Sequence, residues 1–435
     1  MSESHTAAHA ESATDLYNLW QGWLDATDIY ANAFEGVEDR LRSSLDHCAC
    51  ALRMDEPVDE STQYQPEKEP TKEADCFVFL ASHISSPQPA TSDAGYSLAY
   101  RWLAQDAGKS AAAEAALSLY APIDNTMLLT LYGEQEALRP ALFRIFRKQM
   151  QTIPVAMVNT AANADASSDA LKIEALRYAA ANADIGMDVF RTHYLPLLSG
   201  KTNFDARIVE VAIWGGMVRN DPDAARAISP AISNTTSATG RAKLLRLAAL
   251  TGAAEYLPLL LNAAENDTAT GYPLLVLYGQ KTVMPELLKA LEIAHTMEQA
   301  AAAFSQLSDQ ILPRVPCLTV VGEEEDDAED DAPQIPDARA ARAWWDKHQA
   351  NWKTEERWLF GKPATPAHLT ALSKKYAGIF GRDLMALLAL AQKTPLNIPT
   401  EIWRARQMQL LADSDKPAAQ PAAKAVAHPA KARHA

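Results

Sequence analysis

The feature that most constrains this chain is a recurring punctuation. An apolar pair is closed by glycine, a short turn follows, and a new segment carries proline at its start. Leu131-Tyr132-Gly133 is followed by Pro140-Ala141-Leu142, and Leu277-Tyr278-Gly279 by Pro285-Glu286-Leu287-Leu288. Leu250-Thr251-Gly252 with Tyr256-Leu257-Pro258-Leu259-Leu260 is a third copy, and Tyr194-Leu195-Pro196-Leu197-Leu198 repeats its second half. Glycine suits the left-handed position after a helix. Proline is tolerated in a first turn, where its missing N–H would be unpaired anyway. The stretches between these marks are rich in alanine and leucine, with runs such as Ala111 to Ala113 and Ala300 to Ala303. Hydrophobic residues make up 48% of the chain but aromatic ones only 7%. Alanine and leucine lead the helix scale, whereas strands want Val, Ile, Thr and aromatics. The punctuation therefore separates helices.

A spacing of roughly 30 to 40 residues is that of stacked helical pairs. Segments such as Arg246-Leu247-Ala248-Ala249-Leu250 would bury their apolar face against the next pair. The expected fold is all-α, an α-solenoid of HEAT-like helical pairs. An irregular helical domain without superhelical order is the alternative.

Around this array the chain divides into further segments. Residues 1–13 are small and polar and read as disordered. Residues 14–72 form an N-terminal helical segment and loop: a helical region from Leu16 to about Met54, then a charged stretch with Pro57, Pro66 and Pro70. Tyr17, Trp20, Trp23 and Tyr30 open that region, and Val37, Leu41 and Leu45 recur at four-residue spacing. The solenoid covers residues 73–313. Residues 314–337 are a linker with an acidic run, unable to bury anything. Residues 338–412 are a Trp-rich C-terminal helical module, and 413–435 a disordered Ala/Pro/Lys/His tail.

The formal net charge is −15, and eight acidic residues lie between Glu323 and Asp331, so the rest carries −7. An acidic body disfavours nucleic acid and anionic membranes, which need a positive surface. It favours solubility and a basic partner. Cys48, Cys50, Cys76 and Cys317 are too few for a disulfide framework at this length. The start lacks a basic and apolar leader, and no stretch approaches the ~20 apolar residues of a membrane span. The expected location is the cytoplasm, without membrane insertion.

Motifs of chemistry are missing. With 17 glycines, mostly at helix ends, no phosphate loop forms, and neither a Gly-x-Ser-x-Gly elbow nor a His-Glu-x-x-His helix occurs. His47 beside Cys48 and Cys50 is the one local His/Cys group. Leu45, Cys48 and Ala49 share a helix face, which makes Cys48 a structural thiol. The acidic run lacks the alternating ligands and central glycine of a calcium loop. The expectation is no catalytic residue, no cofactor and no metal.

One patch stands out. Trp344, Trp345, Trp352 and Trp358 put four of nine tryptophans within fifteen residues, near Arg342, Lys347, Lys353, Arg357 and Lys362. Trp and Arg dominate protein-binding hot spots, so Trp344, Trp345, Trp352, Arg357 and Trp358 are candidate protein-binding residues. The same tryptophans could instead pack the last helical pair as a cap of the array. Trp344 is the one expected to stay exposed.

Two regions carry a resemblance. Glu38-Asp39-Arg40-Leu41 with Leu45-Asp46 is one. Trp344-Trp345 and Arg357-Trp358-Leu359-Phe360-Gly361-Lys362-Pro363 begin the other, continued by Thr365 to Leu372, Leu384 to Ala391, Pro395-Leu396 and Trp403-Arg404-Ala405-Arg406-Gln407. These elements resemble a proteobacterial family of HEAT-like repeat proteins often encoded near type VI secretion genes. The resemblance runs from about residue 14 to 412 and is strong at the two ends. Leu45-Asp46 leads here to His47-Cys48, where the family continues with glycine. The family has no established activity, so the resemblance implies a fold and a genomic neighbourhood.

These readings converge on a non-catalytic protein-binding scaffold, adaptor or chaperone, accessory to type VI secretion. Its partners would be secretion components or a toxin. An immunity protein that neutralises a toxin is one alternative. A HEAT-scaffold enzyme of the DNA glycosylase or tetrapyrrole lyase type is another, with Arg241, Lys243 and Arg246 as its basic cluster.

Overall fold

The computed structural model describes residues 3–27, 29–52, 70–120, 125–317, 334–396 and 398–414. The fold is all-α, with two short antiparallel β pairs among these residues. The proline-bearing loop at Pro57 and Pro66, the acidic run from Glu323 to Asp331 and the tail beyond Ser414 lie outside them.

The N-terminus departs from expectation. Helix α1 (Glu3–Leu24) begins where disorder was expected, and the helical region from Leu16 breaks before α2 (Ala31–Ala51). Ala13, Tyr17 and Trp20 recur at i, i+4 and i+7, and all three are buried. The tyrosine stacks on Phe77 at 4.0 Å. That stripe anchors the alanine-rich first turns, which hold His9 stacked on His47 at 4.3 Å. Leu45, Cys48 and Ala49 are buried together on α2, as their spacing requires.

Two layers of helices follow. One contains α3 (Glu73–Ile84), α5 (Ala107–Leu119), α7 (Arg139–Gln149), α9 (Asp169–Ala181), α11 (Ala206–Met217), α14 (Ala238–Thr251), α16 (Thr268–Tyr278) and α18 (Met297–Ser308), and each packs on the next. Against it lie α4 (Pro89–Trp102), α6 (Thr126–Glu134), α8 (Val155–Asn163), α10 (Asp188–Leu198), α12 (Pro222–Arg226), α13 (Ile228–Asn234), α15 (Leu257–Asn266) and α17 (Met284–Ala290). Side-chain caps start many of them: Ser168, Asp205, Asp221, Ser237 and Asp267 each accept a first-turn N–H, worth about 1 kcal/mol apiece. Alanine and glycine let layers approach closely. A Cβ on Gly271 would lie 2.2 Å from the Ala264 backbone, so α15 and α16 need glycine there.

The punctuation holds in part. Gly252 and Gly279 end α14 and α16 with φ of +67° and +61°, and Pro140, Pro258 and Pro285 sit in the first turns of α7, α15 and α17. Gly133, however, lies inside α6, which runs on to Glu134 and ends without a left-handed residue. Pro196 lies in the last turn of α10 and not at a helix start.

The C-terminal part begins with β1 (Arg314–Pro316) paired antiparallel to β2 (Gln334–Pro336), Arg314 opposite Pro336. This pairing brings together the flanks of the acidic run, so the linker ends are structured. After α19 (Ala338–His348), a hairpin joins β3 (Trp358–Leu359) to β4 (Lys362–Pro363). Its two-residue loop, Phe360-Gly361, has φ of +46° and +68°, the left-handed pair that a tight hairpin demands. Helices α20 (Pro366–Lys375), α21 (Gly378–Gln392) and α22 (Arg404–Ser414) are the last helices of the described residues.

These last helices return to the first ones. Ala377 N–H donates to Ile29 O and Ile379 N–H to Ala26 O, both at 2.9 Å, and Arg382 pairs with Asp25 at 2.9 Å. The buried Glu38 carboxylate accepts from Trp20 Nε1 at 2.9 Å and from Arg404 N at 2.7 Å. The Arg404 guanidinium donates to Ser373 O, Tyr376 O and Gln407 Oε1. Trp403 packs on Trp20 at 5.6 Å. The two ends of the chain are thus joined, and α21 spans the face formed by α7, α9, α11 and α14.

Candidate functional site

The tryptophan patch is assembled largely as packing. Trp345, Trp352 and Trp358 are buried, Trp345 edge-on to Trp352 at 5.3 Å and Trp352 stacked on Trp358 at 4.6 Å. Trp344, expected to stay exposed, is the least buried of the four but is not left open to solvent. It is half-covered by an edge contact to Phe304 at 5.5 Å and a stack on His348 at 4.4 Å. Arg357 is drawn inward too: its guanidinium donates to Ala249 O (3.1 Å), Leu250 O (2.8 Å) and Tyr278 O (3.2 Å). These are the terminal carbonyls of α14 and α16, and the left-handed Gly252 and Gly279 lie directly beneath the side chain. Burial lowers the Arg357 pKa to about 10. Trp358 N–H to Gly279 O (2.8 Å), Phe360 N–H to Gln306 O (2.7 Å) and Gly361 N–H to Leu307 O (2.8 Å) fasten the hairpin onto the ends of α16 and α18. The five candidate residues come together, and four of them meet inside the molecule.

Polar side chains converge elsewhere. Between α21 with the following segment and the face of α7, α9, α11 and α14 lies a cleft of about 570 Å³. Arg147 comes from α7, Arg177 from α9, Glu210 and Trp214 from α11, and Lys243 and Arg246 from α14. The opposite wall supplies Arg382, Asp383, Met385 and Ala386 from α21, then Leu396, Ile398 and Glu401. Each helix of that face carries charged residues, and in α11 they stand in an otherwise apolar sequence. Glu210, for example, interrupts Ile208-Val209 and Val211-Ala212-Ile213.

Most of these charges are neutralised. Arg246 Nε donates to Asp383 Oδ1 at 2.6 Å, across the cleft from α14 to α21. Arg177 pairs with Glu174 at 2.7 Å, and Arg147 lies 3.6 Å from Glu401. Burial alone would raise the Glu401 carboxyl, but Arg147 and Lys148 outweigh it and hold the group below its ordinary range. Glu210 is the opposite case. Burial raises its pKa more than Lys243, Arg177 and Arg246 lower it, and no cation of the described residues stands within ion-pair distance of it. Lys243 has no carboxylate within ion-pair distance among the described residues.

Sequence reading singled out Lys243 and Arg246 only as part of a local basic cluster. It missed Arg147, Arg177, Glu210, Asp383 and Glu401, which are up to 254 positions from Arg147 along the chain at Glu401. Lone charged residues in apolar helices were the available signal. Among the described residues no group of three or more His, Cys, Asp or Glu could hold a metal ion, and no helix is long and apolar enough to cross a membrane. Comparison with protein-family models, with curated proteins and with solved structures returned no match.

Proposed function

We propose that this chain is a non-catalytic, cytoplasmic protein-binding scaffold or adaptor that grips an extended segment of a partner in the cleft beneath α21. The cleft carries this reading. Four successive helices aim charged side chains at one place, and a wall built from the distant C-terminal helices faces them. Its volume lies in the range of a site that encloses a small ligand or a few residues of chain. A folded domain needs about 800 Å² of contact per partner, more than such a cleft offers. The two helical layers fit a HEAT-like solenoid, whose inner face is the usual place for a partner. The resemblance to the secretion-associated family supports a role accessory to type VI secretion, with a secretion component or a toxin as partner.

Photo-crosslinking tests the reading. A photoreactive residue in place of Ala181, inside the cleft, should trap a defined protein in the native host. The same residue at Met127, exposed on α6, should not. Equal or absent trapping at the two positions rules out the cleft as the partner site.

A further inference from the structure

We propose that the cleft selects an acidic, partly apolar segment, whose carboxylates sit among Lys243, Arg177 and Arg246 while its apolar side chains lie along Trp214, Val211 and Met385. The proposal rests on the reading of the cleft as the partner site and adds its chemistry.

The charge balance is the first ground. In a chain of net charge −15, five basic residues and three acidic ones line the cleft. Asp383 and Glu401 are engaged by Arg246 and Arg147. Lys243 is left without a carboxylate partner among the described residues. The second ground is Glu210, which lies between α9 and α14 with Lys243, Arg177 and Arg246 acting on it, none close enough to form an ion pair. Arg177 and Arg246 already hold Glu174 and Asp383, so an incoming cation would meet the unpaired ammonium of Lys243, whereas a carboxylate would pair with it and share the two guanidinium groups. Burial raises the Glu210 pKa against the pull of the three cations, so the site disfavours its negative charge.

The third ground is the apolar surface between the charges. Val211 and Trp214 on one side and Met385, Ala386 and Leu396 on the other leave room for aliphatic side chains. Small inorganic anions would use none of this surface. A segment alternating acidic and aliphatic residues uses both, and extended chain points successive side chains to opposite sides.

The test uses the full chain and two labelled hexapeptides, one alternating leucine with glutamate and one alternating leucine with glutamine, followed by fluorescence anisotropy. The glutamate peptide should bind, the glutamine peptide at least about tenfold more weakly, and added salt should narrow the difference. Lys243→Gln should weaken the glutamate peptide about tenfold without changing the thermal midpoint. Glu210→Gln, which removes a carboxyl that has no ion-pair partner among the described residues, should not weaken binding. Equal binding of the two peptides, indifference to Lys243→Gln, or loss of binding in Glu210→Gln overturns the proposal. Preference for a lysine-bearing peptide overturns it as well. The two readings fail separately. A partner trapped at Ala181 that the glutamate peptide does not displace leaves the adaptor standing and removes the acidic segment. Lys243-dependent peptide binding with no trapped partner does the reverse.

Discussion

Three backbone carbonyls, from Ala249, Leu250 and Tyr278, share the guanidinium of Arg357, and no carboxylate lies within ion-pair distance of it among the described residues. The ends of two helices supply the negative potential that a carboxylate would otherwise provide. Arg219 repeats the device one stretch earlier, donating to Ala179 O at 2.7 Å and Gly215 O at 3.1 Å while lying over Phe190. A planar fork reaches several carbonyls at once, which an ammonium on a flexible stem does not. Arg357→Ala should therefore cost about 3 kcal/mol in chemical denaturation, since buried carbonyls lose their donor, and Arg357→Lys should recover less than half of that. Glu38 offers a second check at this scale. Burial raises its pKa to about 7, although hydrogen bonds from Trp20 and Arg404 oppose the shift. A carboxyl raised in the folded state contributes stability at low pH that is lost as pH climbs from the unfolded value, near 4.5, through about 7. The thermal midpoint should fall over that window, and Glu38→Gln should flatten the fall. An unchanged slope in the variant would assign the effect to another group.

At the scale of elements, the hairpin between β3 and β4 packs a stretch that reads either as a binding patch or as a cap against the helices before it. Its strands are too short to stand alone, and the ends of α16 and α18 hold them in place. Tryptophan and arginine are the residues of both a hot spot and a cap, so composition could not separate the two; the covering partner was 79 residues away at Tyr278. Trp352→Ala should cost about 4 kcal/mol and Trp344→Ala clearly less, read from denaturant midpoints, because only the first is fully enclosed. Where a signal is local, the sequence was legible. Helix-ending glycines at 252 and 279, prolines in first turns and the Leu45–Cys48–Ala49 face all follow from one turn of chain. Gly133 and Pro196 show the limit, since the same letters sit within α6 and α10 when the neighbouring layer continues the helix. The first thirteen residues fail for a related reason. Alanine and histidine look unstructured until α2 is there to cover them.

For the whole molecule, the joining of its two ends decides which surfaces are open. Arg246 to Asp383 and Arg147 to Glu401 tie the middle of the array to the C-terminal part, and Arg404 ties α22 to α2 through its N–H on Glu38 and its guanidinium 3.8 Å from Glu35. None of these pairings leaves a trace in spacing or composition, so the contact between the two ends was not legible in the sequence. Arg404→Ala keeps the N–H on Glu38 but removes the guanidinium from Ser373 O, Tyr376 O and Glu35. It should therefore raise amide exchange in α2, α20 and α22 and leave α9 to α14 protected, because contacts between neighbouring layers survive. Uniform loss of protection would mean that closure holds the entire array together.

Glu38 and Arg404 are 366 positions apart, and this separation has a consequence during synthesis. At about 5 to 20 residues per second, a ribosome exposes the first of them roughly 20 to 70 s before the second. Throughout that interval Trp20 and Phe34 lack the surface supplied by Trp403 and α22, and the cleft has only one wall. A nascent chain therefore presents an apolar face until Trp403 is made, and the cleft is walled on both sides only once Glu401 has emerged.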